Sequence, residues 1–72
     1  PGVLLFTRYD GVPGVAGRKP IEQILCVNAG ASDPQWQALA DEMMHDFGGN
    51  VIVLYRGEWM AGVPVQPGEA PL

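Results

Sequence analysis

Residues 32–47, SDPQWQALADEMMHDF, are the stretch that most constrains the fold, because only they combine a helical period with start and stop signals. Ser32 is a good N-cap, since its hydroxyl accepts a hydrogen bond from a free N–H of the first turn. Gln35 can reach back and complete a capping box. Asp33 is an alternative cap, which would place Pro34 at the first helical position.

Apolar residues recur along this helix at spacings that place them on one face. They are Trp36, Leu39, Ala40, Met43 and Phe47. Gly48 and Gly49 follow, and glycine tolerates the left-handed conformation that ends a helix. We therefore expect an amphipathic helix that covers one side of a sheet.

Four stretches rich in apolar, β-branched and aromatic residues flank this helix and predict strands. They are 3–9 (VLLFTRY), 21–29 (IEQILCVNA), 50–56 (NVIVLYR) and 59–63 (WMAGV). Residues 21–29 also have a helical spacing, but their length is short for a helix and normal for a strand, so a strand is favoured. Gly57 marks a hairpin turn between the last two strands.

The element order is therefore ββαββ. It predicts an α+β fold, in which one helix covers a small antiparallel or mixed sheet of three to four strands. The other face of the sheet must then be exposed or covered by a partner. Residues 1–63 are expected to form a single domain, and residues 64–72, PVQPGEAPL, a flexible Pro-rich tail.

Composition excludes several classes of protein. A single cysteine and a single histidine cannot form an internal disulfide or the usual zinc cage. No stretch is apolar enough to predict a signal segment or a membrane span, so we expect a soluble cytoplasmic protein. The net charge of −4 disfavours direct binding to a nucleic-acid backbone.

Candidate catalytic groups are weak. The glycine-rich loop at 10–20 lacks the Lys-Ser/Thr pair that a phosphate-binding loop needs after its last glycine. His45 lies one helical turn from Asp41, but no nucleophile or oxyanion donor is near in sequence. Cys26 lies in an apolar strand and is expected to be a small core residue. We predict no enzyme activity, no cofactor and no metal.

With catalytic, metal and cofactor functions disfavoured, we expect the protein to act by binding another macromolecule. Aromatic residues and arginines dominate the binding energy of protein interfaces. The candidate partner-binding residues of these types, with one methionine, are Arg8, Tyr9, Tyr55, Arg56, Trp59 and Met60.

The front segment VLLFTRYDGV, the hairpin VIVLYRGEWM and the small size resemble the small transcription regulators of lytic Xanthomonas phages. The chain begins at proline, as after removal of an initiator methionine. The resemblance implies binding to host RNA polymerase through the amino-terminal region of its β′ subunit, in the cytoplasm of the bacterial host. It also implies displacement of the σ factor, inhibition of initiation and promotion of read-through at terminators.

An alternative hypothesis rests on charge. The acidic residues Asp41, Glu42 and Asp46 share the polar side of the predicted helix. Such a face is usually only solvated, but it also suits an acidic mimic of nucleic acid that inhibits a host nuclease or defence complex.

Overall fold

The computed structural model describes residues 2–70, and within them one helix and four strands follow in the order ββαββ. The elements are β1 (Gly2–Asp10), β2 (Lys19–Asn28), α1 (Asp33–Asp46), β3 (Val51–Tyr55) and β4 (Glu58–Gly62). The predicted α+β class is confirmed. The alternative helix at 21–29 is excluded, because residues 21–28 belong to β2.

The strands form one sheet in the order β2-β1-β3-β4, and every neighbouring pair is antiparallel. The first strand is therefore an inner strand. It pairs with β2 through a hairpin connection and with β3 only after the chain has passed through α1.

The N-terminus of α1 is capped as the sequence predicts, with Ser32 rather than Asp33 as the N-cap. The Gln35 N–H donates to Ser32 Oγ at 3.4 Å, and the Ser32 N–H donates to Gln35 Oε1 at 2.8 Å. This reciprocal pair satisfies two backbone donors that the helix itself cannot satisfy. Gly48 follows the C-cap with a φ of 59°, in the left-handed region that glycine adopts without strain.

The core lies between α1 and one face of the sheet. Trp36, Ala40 and Met43 are buried on the helix side, while Leu39 and Phe47 are half-buried. The sheet contributes Leu4, Phe6, Val51 and Val53. Since these four alternate along β1 and β3, the period of two in the sequence places them all on the helix side.

The helix covers only part of the sheet, because it packs on β3 and β4 rather than on β2. On the helix side of β2, Ile24 lies opposite Phe6 and is still 37% exposed. The molecule is correspondingly elongated, with principal extents of 37 × 20 × 17 Å.

Residues 63–70 follow β4 and contain a turn but no helix or strand. Glu69 in this segment is nevertheless buried against Arg18. The flexibility expected for residues 64–72 stays a prediction, and its last two residues lie outside the described part of the chain.

Candidate interaction surface

The six candidate partner-binding residues do not form one patch. Arg8 and Tyr9 lie near the end of β1, where Arg8 is paired with Val51 at the start of β3. Tyr55 lies at the other end of β3, paired with Leu4. Arg56, Trp59 and Met60 continue from Tyr55 into the β3–β4 hairpin. The structure therefore brings four of the residues together and separates the other two from them.

Tyr9 is not available to a partner in this structure, because only 4% of it is exposed. The guanidinium of Arg18 lies 4.4 Å from the centre of its ring. Burial raises the pKa of the Tyr9 hydroxyl, and the Arg18 charge only partly offsets that effect. Tyr9 therefore acts as a core residue between the sheet and the loop before β2.

Arg8 lies on the helix side of the sheet, where its side chain contacts two other residues of the same chain. Its Nε donates to Glu22 on the neighbouring strand at 3.1 Å. Its guanidinium also lies 5.4 Å from the centre of the Phe47 ring. These contacts join the first hairpin to the end of α1, where the helix no longer covers the sheet.

The β3–β4 hairpin turns at Arg56 and Gly57, which both have positive φ values, 55° and 78°. Two such residues form the two-residue turn that matches the twist of antiparallel strands. The Arg56 guanidinium stacks 4.8 Å from the centre of the Tyr55 ring. This turn lies beside the N-terminus of α1, because the Arg56 guanidinium is 3.5 Å from the Asp33 carboxylate.

Tyr55 holds this turn against the helix. Its hydroxyl donates to Asp33 Oδ1 at 2.5 Å, and its ring centre lies 6.0 Å from that of Trp36. The hydrogen bond to the Asp33 carboxylate raises the pKa of the Tyr55 hydroxyl, because the bond is lost when the phenol ionises.

A β-bulge separates the environments of Trp59 and Met60. Val53 pairs with Ala61 and Leu54 pairs with Trp59, so Met60 is the extra residue of β4. Met60 packs against the core, whereas Trp59 stays opposite Leu54 and is 57% exposed. The bulge thus keeps a large aromatic side chain at the surface beside a residue that is half-buried.

A shallow cavity of about 240 Å³ lies beside Trp59. It is lined by Gln37, Tyr55, Glu58, Trp59 and Met60. Its walls come from the helix and from the hairpin, so an entering side chain would touch both. The cavity and Trp59 lie side by side, as a pocket and an aromatic anchor do at many protein interfaces.

The sheet face opposite the helix carries a second apolar feature. Leu5 pairs with Leu25 on one side and with Leu54 on the other, and Leu54 pairs with Trp59. These four residues, Leu25, Leu5, Leu54 and Trp59, form a row across all the strands of the sheet, and we name them the outer row. Leu25 and Trp59 are exposed, and Leu5 and Leu54 are half-buried.

Val3, Val27 and Ile52 extend the outer row in the adjacent registers. At the far end of β1, the same face is closed over Tyr9 by Arg18 and Glu69. The uncovered second face that the element order predicts is therefore present, but only toward the start of β1. Sequence reasoning missed Leu5, Leu25 and Leu54, because an apolar run such as VLLF does not tell which side is covered.

The weak catalytic candidates do not converge. The His45 side chain is 90% exposed, and its Nδ1 lies 3.5 Å from Asp46 rather than near Asp41. Asp41 instead accepts a hydrogen bond from Gln37 at 3.0 Å. Cys26 is half-buried and packs against the core. Among residues 2–70, no three His, Cys, Asp or Glu side chains are grouped as metal ligands would be.

Comparisons with known proteins return no matching family model, no similar curated protein and no similar solved structure. Across the described residues, no helix has both the length and the apolar character needed to cross a lipid bilayer. The candidate site therefore rests on the geometry of this chain alone.

Proposed function

We propose that this chain is a protein-binding module whose contact surface combines the outer row with the cavity beside Trp59. The observation that carries the proposal is the continuous apolar row, which ends in a tryptophan that is 57% exposed. Isolated apolar residues are normal on protein surfaces, whereas a contiguous patch indicates an interaction site.

The size of the molecule is compatible with this role. A standard protein interface buries roughly 800 Å² on each partner. The accessible surface of this chain is 4279 Å², so such an interface would occupy about a fifth of it.

We propose further that the partner is a bacterial RNA polymerase, bound through the amino-terminal region of its β′ subunit. The resemblance of the front segment and of the VIVLYRGEWM hairpin to phage transcription regulators supports this choice. Bound there, in the cytoplasm of the host, the protein would displace σ, inhibit initiation and favour read-through of terminators. This role needs no catalytic group and no cofactor.

Capture of a purified β′ amino-terminal fragment on the immobilised protein tests the identity of the partner. We expect the fragment to be retained and σ to be released from the holoenzyme as the protein is added. No retained fragment at micromolar concentrations would contradict the choice of polymerase.

The acidic-mimic alternative is favoured by one observation, which is that Asp41, Glu42 and Asp46 are all exposed on α1. These side chains lie on the helix, and the outer row lies on the opposite side of the sheet. A variant with Glu42 changed to Gln and Asp46 to Asn keeps Asp41 and its bond to Gln37 in the cavity wall, and therefore separates the two functions. Loss of partner binding in this variant, with binding retained in Trp59→Ala, would favour the mimic.

A further inference from the structure

Within residues 2–70, the outer side of β2 has no neighbouring strand, so β2 is an edge strand. β2 is the first strand in the sheet order, and it runs for ten residues from Lys19 to Asn28. A long edge strand offers a row of backbone donors and acceptors to another chain.

The register shows which backbone groups point outward. In β1, the Val3 carbonyl accepts from Arg56 and the Tyr9 N–H donates to Asn50, so the odd residues of β1 point toward β3. The even residues of β1 then point toward β2, where Leu4 and Phe6 are paired with Cys26 and Ile24.

The even residues of β2 are therefore used in pairing with β1. The odd residues Gln23, Leu25 and Val27 direct their N–H and C=O groups away from the sheet, and Ile21 begins this row beside the bulge. Water can satisfy these groups in the isolated chain, but among protein segments an extended strand pairs with such an alternating row, so a protein occupant is a β-strand.

The side chains along this edge are apolar on both faces of the sheet. Leu25 and Val27 are exposed on the outer face, and Ile24, 37% exposed, and half-buried Cys26 lie on the helix side. Edge strands usually carry protective charges or bulges along their length. Here the charged residues and the bulge lie near the beginning of the strand, and the second half has neither.

We propose that β2 pairs antiparallel with β2 of a second copy of this chain, with Ile24 on the two-fold axis. Gln23 then lies opposite Leu25, and Ile21 lies opposite Val27. These hydrogen-bonded pairs join odd residues to odd residues, as the outward direction of their backbone groups requires. The two sheets become one continuous antiparallel sheet.

Charge along β2 permits a second copy as the occupant, although each copy carries a net charge of −4. In this register Glu22 faces Cys26 of the other copy, so no like charges are opposed across the new pair. Glu22 is already paired with Arg8 within its own chain. The acidic residues of α1 lie away from β2, and salt screens charges separated by more than about 8 Å at physiological ionic strength. The same interface patch serves both copies, as a closed two-fold dimer requires.

Sedimentation equilibrium from micromolar to millimolar protein tests the proposal. We expect the mass to rise from monomer to dimer and no further, because pairing consumes the β2 edge of both copies. A chain that stays monomeric at millimolar concentration overturns the proposal.

Amide hydrogen exchange identifies the interface in the unmodified protein. As the concentration rises, exchange should slow at Gln23, Leu25 and Val27. The amides of Ile24 and Cys26 should be protected at every concentration, because they bond to β1. A dimer whose odd-numbered β2 amides remain unprotected would place the interface elsewhere and overturn the proposal.

Leu25→Pro removes one outward N–H, and proline is tolerated at an edge position whose N–H faces solvent. We expect it to raise the dimer dissociation constant by at least about tenfold. Leu25→Ala is the matched control, because it shortens the same side chain but keeps the N–H. An equal effect of both variants would contradict a role for the backbone edge, and the exchange pattern of the unmodified protein decides the matter if Leu25→Pro fails to fold.

Discussion

The guanidinium Nε of Arg18 lies 2.7 Å from a carboxylate oxygen of Glu69, and both side chains are fully buried. The pair joins the loop between β1 and β2 to the segment that follows β4. A second guanidinium nitrogen of Arg18 donates to the other Glu69 oxygen at 3.2 Å and to the carbonyls of Val63 and Pro64. Two irregular segments are thus fastened to each other and, through Tyr9, to the sheet.

The ion pair predicts a loss of stability in acid. Hydrogen bonds from Arg18 hold the pKa of the Glu69 carboxyl below its usual value of 4.5, despite the opposing effect of burial. A group with a depressed folded pKa stabilises the protein above its unfolded pKa, and this contribution is lost as the pH falls through the folded pKa. The urea midpoint should therefore fall as the pH drops below the usual carboxyl pKa of 4.5 and through the lower folded pKa of Glu69.

Glu69→Gln should lower stability at neutral pH and flatten this acid dependence, because the variant has no carboxylate to protonate. Glu58→Gln is the control, since it makes the same charge change on an exposed residue. If Glu69→Gln and Glu58→Gln have the same urea midpoints at every pH, the buried pair does not stabilise the fold.

Gly62 should not tolerate a side chain. A Cβ at this position would lie 1.8 Å from the backbone oxygen of Val51, and the φ of 111° is unfavourable for other residues. Gly62→Ala should lower the free energy of unfolding by more than about 3 kcal/mol, measured by urea denaturation. Gly57→Ala is the matched control, since nothing lies within 4 Å of its Cβ and only the left-handed backbone is strained.

The control variant should lose only about 1 kcal/mol of unfolding free energy. Equal losses at the two glycines would mean that β4 moves away from Val51 at little cost. In that case the bulge that exposes Trp59 would not be held in place by this close approach.

Trp59→Ala should weaken partner binding with little effect on folding. An exposed tryptophan at an interface typically contributes about 2 kcal/mol, which corresponds to a roughly 30-fold rise in the dissociation constant. Binding to the polymerase β′ fragment is measured by calorimetry, and folding by the thermal midpoint. Val12→Ala is the control, because Val12 is 62% exposed in the loop and is not part of the outer row.

If Trp59→Ala binds the fragment as tightly as the unmodified protein does, the contact surface lies outside the outer row. It would not by itself reject the polymerase as partner, because capture of the fragment tests that separately.

The helix cap gives a local prediction. Ser32→Ala removes the acceptor for the Gln35 N–H and should lower the free energy of unfolding by about 1 kcal/mol. Ser32→Gly should lower the free energy of unfolding by only a few tenths of a kcal/mol, because glycine is itself tolerated at an N-cap. If Ser32→Ala unfolds at the same urea concentration as the unmodified protein, the capping box contributes little to the stability of this fold.

The helix could be predicted almost completely from the sequence, because its signals are local. The cap at Ser32, the apolar period through Trp36 and Met43, and the stop at Gly48 each depend on a few neighbouring residues. The strands could be predicted as segments for the same reason. Lys19 joins β2 ahead of the predicted start at residue 21, because it pairs with Asp10 of β1.

The candidate surface could be predicted only in part. Trp59 and Met60 are adjacent and apolar, and only the bulge opposite Val53 and Leu54 decides which of them is exposed. The burial of Tyr9 depends on Arg18 and Glu69, which are 51 residues apart. No local pattern joins an arginine in one loop to a glutamate in a proline-rich segment, so the sequence left Tyr9 among the candidate surface residues.

The inner position of β1 affects how the protein folds during its synthesis. On the ribosome, β1 and β2 can form their hairpin early, because their pairing is local. The other side of β1 must wait until Val51 to Tyr55 have left the exit tunnel, since these residues supply its second partner. Until then one side of β1 has no partner strand, and Leu4 and Phe6 lack the shielding that β3 gives them.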